Sequence, residues 1–238
     1  MLKIEHLSKI YFGTHKGIHD VSIHVQPGDL CAFIGQNGAG KTTTLKAIAG
    51  IHDVDSGTIQ MNGIRLKEHP VEYKANLAYI PDNPDVFEYL TGIEYLNFIA
   101  DVFGMDEASR KEQIEKLSKK FEMDECLRQL ISTYSHGMKQ KIALIGGLMH
   151  KPKLLVLDEP FVGLDPQAIY TLKECMVDLC NHKGAVLFST HILDVAEKLC
   201  NKVVMIQDGY VVASGKMEDV IQKGQTLESF FLEAKNHV

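Results

Sequence analysis

Cysteine is scarce and unpatterned: Cys31, Cys126, Cys175, Cys180 and Cys200 make an odd set of five with no C-x-x-C pair. That excludes a disulfide framework and leaves reduced thiols in or near a core. The eleven histidines show no metal-ligand spacing, so no structural zinc or iron–sulfur cluster is expected. No apolar run approaches the roughly 18 residues needed to cross a bilayer, and Met1 to Tyr11 is polar, without a signal-peptide core. The expectation is a cytosolic protein with no direct membrane insertion. The formal charge is −6, with acids and bases mixed along the chain and no basic stripe, so neither nucleic acid nor anionic lipid is an expected partner. No repeat, low-complexity stretch or linker divides the 238 residues, and 45% hydrophobic with 24% charged content suits one compact α/β unit.

What is present is concentrated in a run of nine residues: Gly35, Gln36, Asn37, Gly38, Ala39, Gly40, Lys41, Thr42 and Thr43. The apolar run Leu30 to Ile34 precedes it, and Leu45, Ile48 and Ala49 follow at helical spacing, the strand, loop, helix context of a phosphate-binding P-loop. Glycines let backbone N–H groups approach a polyanion without a Cβ in the way. Those groups form a nest at the positive end of the following helix. Lys41 supplies a point charge for β- and γ-phosphates, the Thr42 hydroxyl can hold Mg²⁺, and Thr43 can reach the α-phosphate. A nucleoside triphosphate is the expected ligand. No Asn-Lys-x-Asp element for guanine is present.

Two further apolar runs end in polar chemistry, as strands of one parallel sheet do when they deliver groups to its carboxyl edge. Leu154 to Leu157 leads into Asp158 and Glu159, and Ala185 to Phe188 leads into Ser189, Thr190 and His191. Asp158, reached first, suits Mg²⁺ and its waters; Glu159, beyond the strand end, can polarise an attacking water as general base. The pattern reads as a hydrolysis site.

Residues 1 to 34 alternate strands with turns such as Pro27-Gly28, and Thr58 to Met61 before Asn62-Gly63 reads as a strand entering a hairpin, together an antiparallel layer. After Asp82 the period becomes helical. Thr91-Gly92-Ile93-Glu94 is a capping box, followed by Leu96, Ile99, Ala100 and Phe103. Arg110 to Lys120 reads as a solvated helix face around Ile114, Leu117 and Phe121. Val86, Phe87, Tyr89 and Leu90 form an apolar cluster in a loop, suited either to a partner or to internal packing. Residues 202 to 215 read as two strands joined at Asp208-Gly209, with a short helix from Met217 to Gly224 and a terminal one at Leu227 to Phe231.

Taken in order, these motifs resemble the ATP-binding subunit of ATP-binding cassette (ABC) transporters over nearly the whole chain. Tyr11 sits where that family stacks an aromatic on adenine; Gly35 to Thr43 is similar to Walker A and Leu154 to Glu159 to Walker B. Asp82 falls at the Q-loop position, Tyr134-Ser135-His136-Gly137-Met138 stands in for the signature Leu-Ser-Gly-Gly-Gln, Gly163-Leu164-Asp165 resembles the D-loop, and His191 the switch histidine. Two departures stand out. Asp82 replaces the usual glutamine; it can bind a metal-ligated water but cannot donate a hydrogen bond while ionised, and it also suits the start of a turn with Asn83 and Pro84. His136 replaces a glycine and Met138 a glutamine, whereas Ser135 and Gly137 remain, with Ser135 suited to cap the next helix and offer its N-terminus to a γ-phosphate.

The resemblance implies a P-loop NTPase (RecA-like) α/β core with a mostly parallel sheet, an antiparallel β subdomain and an inserted α-helical subdomain. The expected bounds are about 1–82 and 152–215 for the core, 83–151 for the helical part and 216–238 for a tail. It implies an ATPase using ATP and Mg²⁺, docked on transmembrane permease subunits at the inner face of the cell membrane. A second ATP-binding subunit, identical or paralogous, would complete each site head to tail with its own Ser135 and Gly137. Tyr-Ser-x-Gly-Met-Lys-Gln and the acidic Q-loop are similar to the subgroup serving drug, lantibiotic and bacteriocin exporters. The competing class is a soluble single-cassette ATPase working in protein or cofactor assembly.

Overall fold

Aliphatics at alternate positions draw the first two strands onto one face. The computed structural model describes residues 1–13, 16–221 and 225–235. β1 (Leu2–Ile10) and β2 (Gly17–Val25) run antiparallel with Leu2 opposite Val25 and Ile4 opposite Ile23, which sends Leu2, Ile4, Ile23 and Val25 into the core. β3 (Leu30–Ile34) is buried at all five positions and feeds α1 (Lys41–Ile48). β4 (Ser56–Met61) adds to the other edge of β1 and turns through Asn62-Gly63, both left-handed, into β5 (Ile64–Arg65), the hairpin that Asn-Gly predicts. Then come α2 (Pro70–Lys74) and β6 (Leu77–Ile80).

From there to residue 153 the ordered elements are helical: α3 (Gly92–Val102), α4 (Glu107–Lys120) and α5 (His136–Met149), with two single-turn 3₁₀ segments. Each helix starts on an oxygen that accepts an otherwise orphaned backbone N–H. The Thr91 hydroxyl accepts from Glu94 while the Glu94 carboxylate accepts from the Thr91 amide, Asp106 accepts from Ser109, and Ser135 from Met138. Leu96, Ala100, Ile114, Leu117, Phe121, Ile142, Ile145 and Met149 face inward, as the helical spacing anticipates.

The chain finishes with β7 (Leu154–Leu157), α6 (Pro166–Asn181), β8 (Ala185–Thr190), α7 (Leu193–Leu199), β9 (Lys202–Gln207), β10 (Tyr210–Lys216), α8 (Met217–Val220) and α9 (Leu227–Lys235). The helix expected over Met217 to Gly224 ends at Val220, because Ile221 is already extended; residues 222–224 lie outside the described residues.

Two sheets result. One is antiparallel, in the order β2-β1-β4-β5; the other is mostly parallel, in the order β10-β9-β3-β8-β7-β6, with only β10 antiparallel. The parallel sheet separates two cores. Ala32, Leu155, Leu157 and Phe188 pack with α3, α4, α5 and α6 on one face. Cys31, Phe33, Val156 and Leu187 pack with α1 and the antiparallel sheet on the other. All five cysteines are free thiols, with Cys31, Cys175 and Cys200 buried.

His150, which ends α5, stacks on Phe103 with ring centroids 3.6 Å apart and planes within 7°. Burial pushes its imidazole from 6.5 down to about 4, against a weaker opposing pull from the backbone of Leu77 and Gly146. A depressed histidine contributes stability that is full above 6.5 and lost as pH falls toward 4, since over that window the unfolded chain binds the extra proton. Urea unfolding of the wild type should therefore weaken across that window with a contribution of up to about 1.4 kcal/mol per pH unit. His150→Phe, which keeps the stack and removes the proton site, should show a flatter limb.

Candidate functional site

The loop from Gly35 to Gly40 leaves the carboxyl end of β3 and enters α1 with no side chain capping the helix, so its first-turn N–H groups remain available to an anion. Two glycines are required by geometry. A Cβ at Gly35 would stand 2.5 Å from the Ile206 carbonyl on β9, and Gly40 has φ +107, with a Cβ 2.7 Å from Ile18 Cγ2. Gln36, Asn37 and Gly38 are exposed, whereas Ala39 is buried. The β9–β10 turn closes the loop from behind: Gly209 donates to the Ala39 carbonyl and accepts from the His19 amide, while Tyr210 stacks on His19.

Lys41 is only 6% exposed and is held at both ends of its reach. Its ammonium donates to the Gly35 carbonyl at 2.7 Å and to that of Gln36 at 3.3 Å, and lies 3.6 Å from Glu159 Oε1. Thr42 is exposed at the start of α1, and the Thr43 hydroxyl lies 3.0 Å from the Tyr11 hydroxyl, so the aromatic expected at a base-stacking position sits beside the phosphate loop. Tyr11 is 40% exposed.

Asp158 and Glu159 continue β7. Asp158 is buried; its Oδ1 accepts from the Ser189 hydroxyl at 2.5 Å, and its Oδ2 is buried without a hydrogen-bond partner. Glu159 adopts φ +44, an uncommon left-handed conformation for a residue with a Cβ, and its amide donates to the Ser189 oxygen at 2.8 Å. Its second carboxylate oxygen lies 3.0 Å from His191 Nδ1. Lys41, Glu159 and His191 therefore form one connected cluster at the carboxyl edge of the sheet, beside Asp158. The orphaned Asp158 oxygen and the exposed Thr42 hydroxyl are an all-oxygen donor set of the kind a hard divalent cation takes alongside phosphate. The neighbouring Tyr79 phenol is kept protonated by burial and, secondarily, by the charges of Asp158 and Asp82.

Asp82 is exposed, and its Oδ1 accepts from the amide of Asn83 at 2.8 Å, so it begins the turn; its other oxygen is not engaged in that bond. Ser135 and His136 are exposed at the N-terminus of α5. Among the described residues no hydrogen bond or ion pair joins Ser135 or Gly137 to Lys41, Asp158, Glu159 or His191. The signature turn is fixed instead to the segment Gly163 to Asp165. A Cβ on Gly137 would lie 2.8 Å from the Gly163 carbonyl, and one on Gly163 would lie 2.6 Å from the His136 ring. Lys141 Nζ bonds Asp165 Oδ2 at 2.7 Å, and Asp165 Oδ1 caps α6 by accepting from Ala168. The Lys141 hydrogen bond and then the Ala168 amide hold the Asp165 carboxyl below the usual range. The motifs assign no role to Lys141 or Ser189. Lys141, six residues beyond Ser135 on a buried helix face, was the detectable signal.

Comparison with known proteins places the chain in a family. The family described as ABC transporter matches residues 18–162. The chain is 35% identical over 220 residues to the ABC-type transporter ATP-binding protein EcsA of Bacillus subtilis (strain 168), covering 91% of this chain and 89% of that one. A solved ATP-binding subunit of an ABC transporter superposes with a TM-score of 0.94 at 36% identity, covering 99% of both chains. A dimeric post-hydrolysis structure of the ATP-binding cassette MJ0796, bound to ADP and Pi, shares the fold with a TM-score of 0.83 at 19% identity, over 92% of this chain and 99% of that one. The chain belongs to the ABC transporter family. It is an ATP-binding subunit of that family and an ATPase.

The His136–Gly163 contact is testable by coupling. Gly163→Ala should cost about 1–2 kcal/mol for the left-handed backbone alone, plus the cost of pushing the imidazole aside. His136→Gly in the same chain should recover the second part only. Urea unfolding of both single variants and the double variant should give a coupling of at least about 0.5 kcal/mol; strict additivity would show the ring does not bear on the D-loop.

Proposed function

We propose that the chain is the motor half-site of a transporter: it hydrolyses ATP in a head-to-tail pair of cassettes and so drives export through transmembrane permease subunits. The reading is carried by the Glu159 carboxylate, held between the Lys41 ammonium and the His191 ring at the end of β7. In this reading the N–H groups of Gly38 to Thr43 and the Lys41 ammonium bind the β- and γ-phosphates, and Tyr11 stacks on the base. Glu159 takes the proton of the attacking water, with His191 holding the carboxylate in place. Thr42 and Asp158, with Asp82 through a water, would hold Mg²⁺, which when bound shields the phosphate charge.

Ser135 and Gly137 serve the second subunit's nucleotide in this scheme. Support comes from the exposure of Ser135 at a helix N-terminus and from the absence, among the described residues, of any bond tying Ser135 or Gly137 to the chain's own phosphate loop. The dimeric assembly of the MJ0796 cassette is consistent with that arrangement. ATP closes the pair and hydrolysis reopens it, so chemical energy becomes relative motion. The whole chain then acts as one nucleotide-binding domain, with a catalytic core of about 1–82 and 152–215, a signature subdomain of about 83–151 and a tail of about 216–238. Among the described residues no helix is long and apolar enough to cross a membrane. Attachment to the cytoplasmic face would come through the permease. Export, rather than import, is supported by the resemblance of the Tyr-Ser-x-Gly-Met-Lys-Gln signature and the acidic Q-loop to the subgroup serving drug, lantibiotic and bacteriocin exporters.

Glu159→Gln should form a stable dimer in the presence of ATP, seen by size-exclusion chromatography, with turnover at least about 100-fold lower; normal turnover would remove Glu159 as the base. For the permease contact, Phe87, Tyr89 and Phe98 are exposed, with the rings of Tyr89 and Phe98 packed on that of Phe87, while Val86 is buried. Phe87→Glu with Tyr89→Glu should abolish co-purification with the membrane subunit while leaving basal ATP turnover within about twofold, as exposed positions away from the catalytic cluster predict. Intact co-purification would assign the cluster to internal packing.

A further inference from the structure

Ser189 is fully buried on β8, one strand over from the carboxylates, and its single hydroxyl serves two of their atoms at once. It donates its proton to Asp158 Oδ1 at 2.5 Å and accepts the amide hydrogen of Glu159 at 2.8 Å. A hydroxyl has one proton to give and two lone pairs to receive, so both bonds hold together without competition. The pairing of Leu157 with Phe188 sets the serine beside Asp158, and the pairing of Phe33 with Ser189 flanks it on the other side. It is thus fixed on a central strand, between the phosphate-loop strand and the carboxylate strand.

Each bond has a separate consequence. The one to Asp158 occupies Oδ1 and leaves Oδ2, buried and without a partner, as the oxygen that can face a cation. The one from Glu159 ties down the amide of a residue with φ +44, the turn on which the placement of its carboxylate near Lys41 and His191 depends. An unusual backbone conformation persists when its surroundings over-determine it, and the serine oxygen is one of those constraints. We propose that Ser189 is a positioning residue for ATP hydrolysis: its hydroxyl orients the Asp158 carboxylate toward the divalent cation and fixes the backbone turn that aims Glu159. Thr190 has a different task, since its hydroxyl accepts the Ile192 amide and shapes the turn carrying His191.

This inference rests on the roles proposed for Asp158 and Glu159, and the full chain tests the two separately. Ser189→Ala, which removes both hydrogen bonds, should lower kcat at least about tenfold with KM for ATP within twofold. With a non-hydrolysable fluorescent ATP analogue bound, its equilibrium affinity for Mg²⁺ should fall at least about threefold, a readout independent of turnover. Ser189→Thr, which keeps the hydroxyl, should return both quantities toward the wild type. Ser189→Cys, close in size with a weaker donor, should fall between and gives the same comparison where the alanine chain does not fold, as judged by its thermal midpoint. Wild-type kcat and Mg²⁺ affinity in Ser189→Ala would overturn the proposal. So would an equal loss in Ser189→Thr, since that points to packing, and so would a rise in KM alone. Normal turnover in Glu159→Gln would sink the underlying assignment instead, whatever Ser189→Ala does.

Discussion

Strand register is the constraint on which the site depends. Ile34 pairs with Thr190 and Leu157 with Phe188, so the phosphate loop, Asp158 and the Ser189–His191 turn leave the sheet at one edge. The register is not held by the polar groups. β3, β7 and β8 are buried on both faces, with Leu155 and Leu157 in one core and Leu154 and Val156 in the other. A slip of one residue would exchange these sets and turn every side chain to the wrong face. Hydrophobic burial therefore sets the alignment, and the alignment brings the chemistry together.

The same burial makes the site electrostatically demanding. Lys41 and Asp158 are nearly inaccessible, and removing such charges from water costs several kcal/mol each unless they are paired or hydrogen-bonded. Lys41 meets the cost with two backbone carbonyls and Glu159; Asp158 meets it on one oxygen only, through Ser189. The imbalance is local and falls where the site needs an acceptor. Glu159 adds backbone strain in the same place. Functional clusters are where a fold tolerates such costs, because the surrounding packing is strong enough to hold them.

What could be read in the chain was whatever a local pattern dictates. The phosphate loop follows from spaced glycines after an apolar run, the α3 cap from Thr91 and Glu94, the β4–β5 hairpin from Asn62-Gly63, and the paired carboxylates from four aliphatics that end in Asp158. Contacts set by the order of strands were not legible: nothing near Gly209 announces that its turn closes the phosphate loop, and nothing near Ser189 announces Asp158 as its neighbour. α2, five residues begun by Pro70, is too short to display a period. Within the loop cluster Val86 is buried and Tyr89 exposed, a difference no local pattern announces.

The signature turn is held rigidly on one side and open on the other. Behind it, Gly137 approaches the Gly163 backbone, and Lys141 is tied to Asp165. Further along α5, Gly147 lies so close to Ile80 on β6 that an added Cβ would come within 2.7 Å of its Cδ1. An ion pair with one exposed partner adds little to stability, so Lys141–Asp165 is better understood as a geometric tie than as an energetic one. In front, Ser135 and His136 remain exposed, with the hydroxyl already oriented by the Met138 amide. The backbone of this helix N-terminus is held from behind by Gly163 and β6, so binding an anion as proposed would require little further ordering. His136, in place of a glycine, sets its ring against Gly163 on the D-loop and so adds to the support behind the turn.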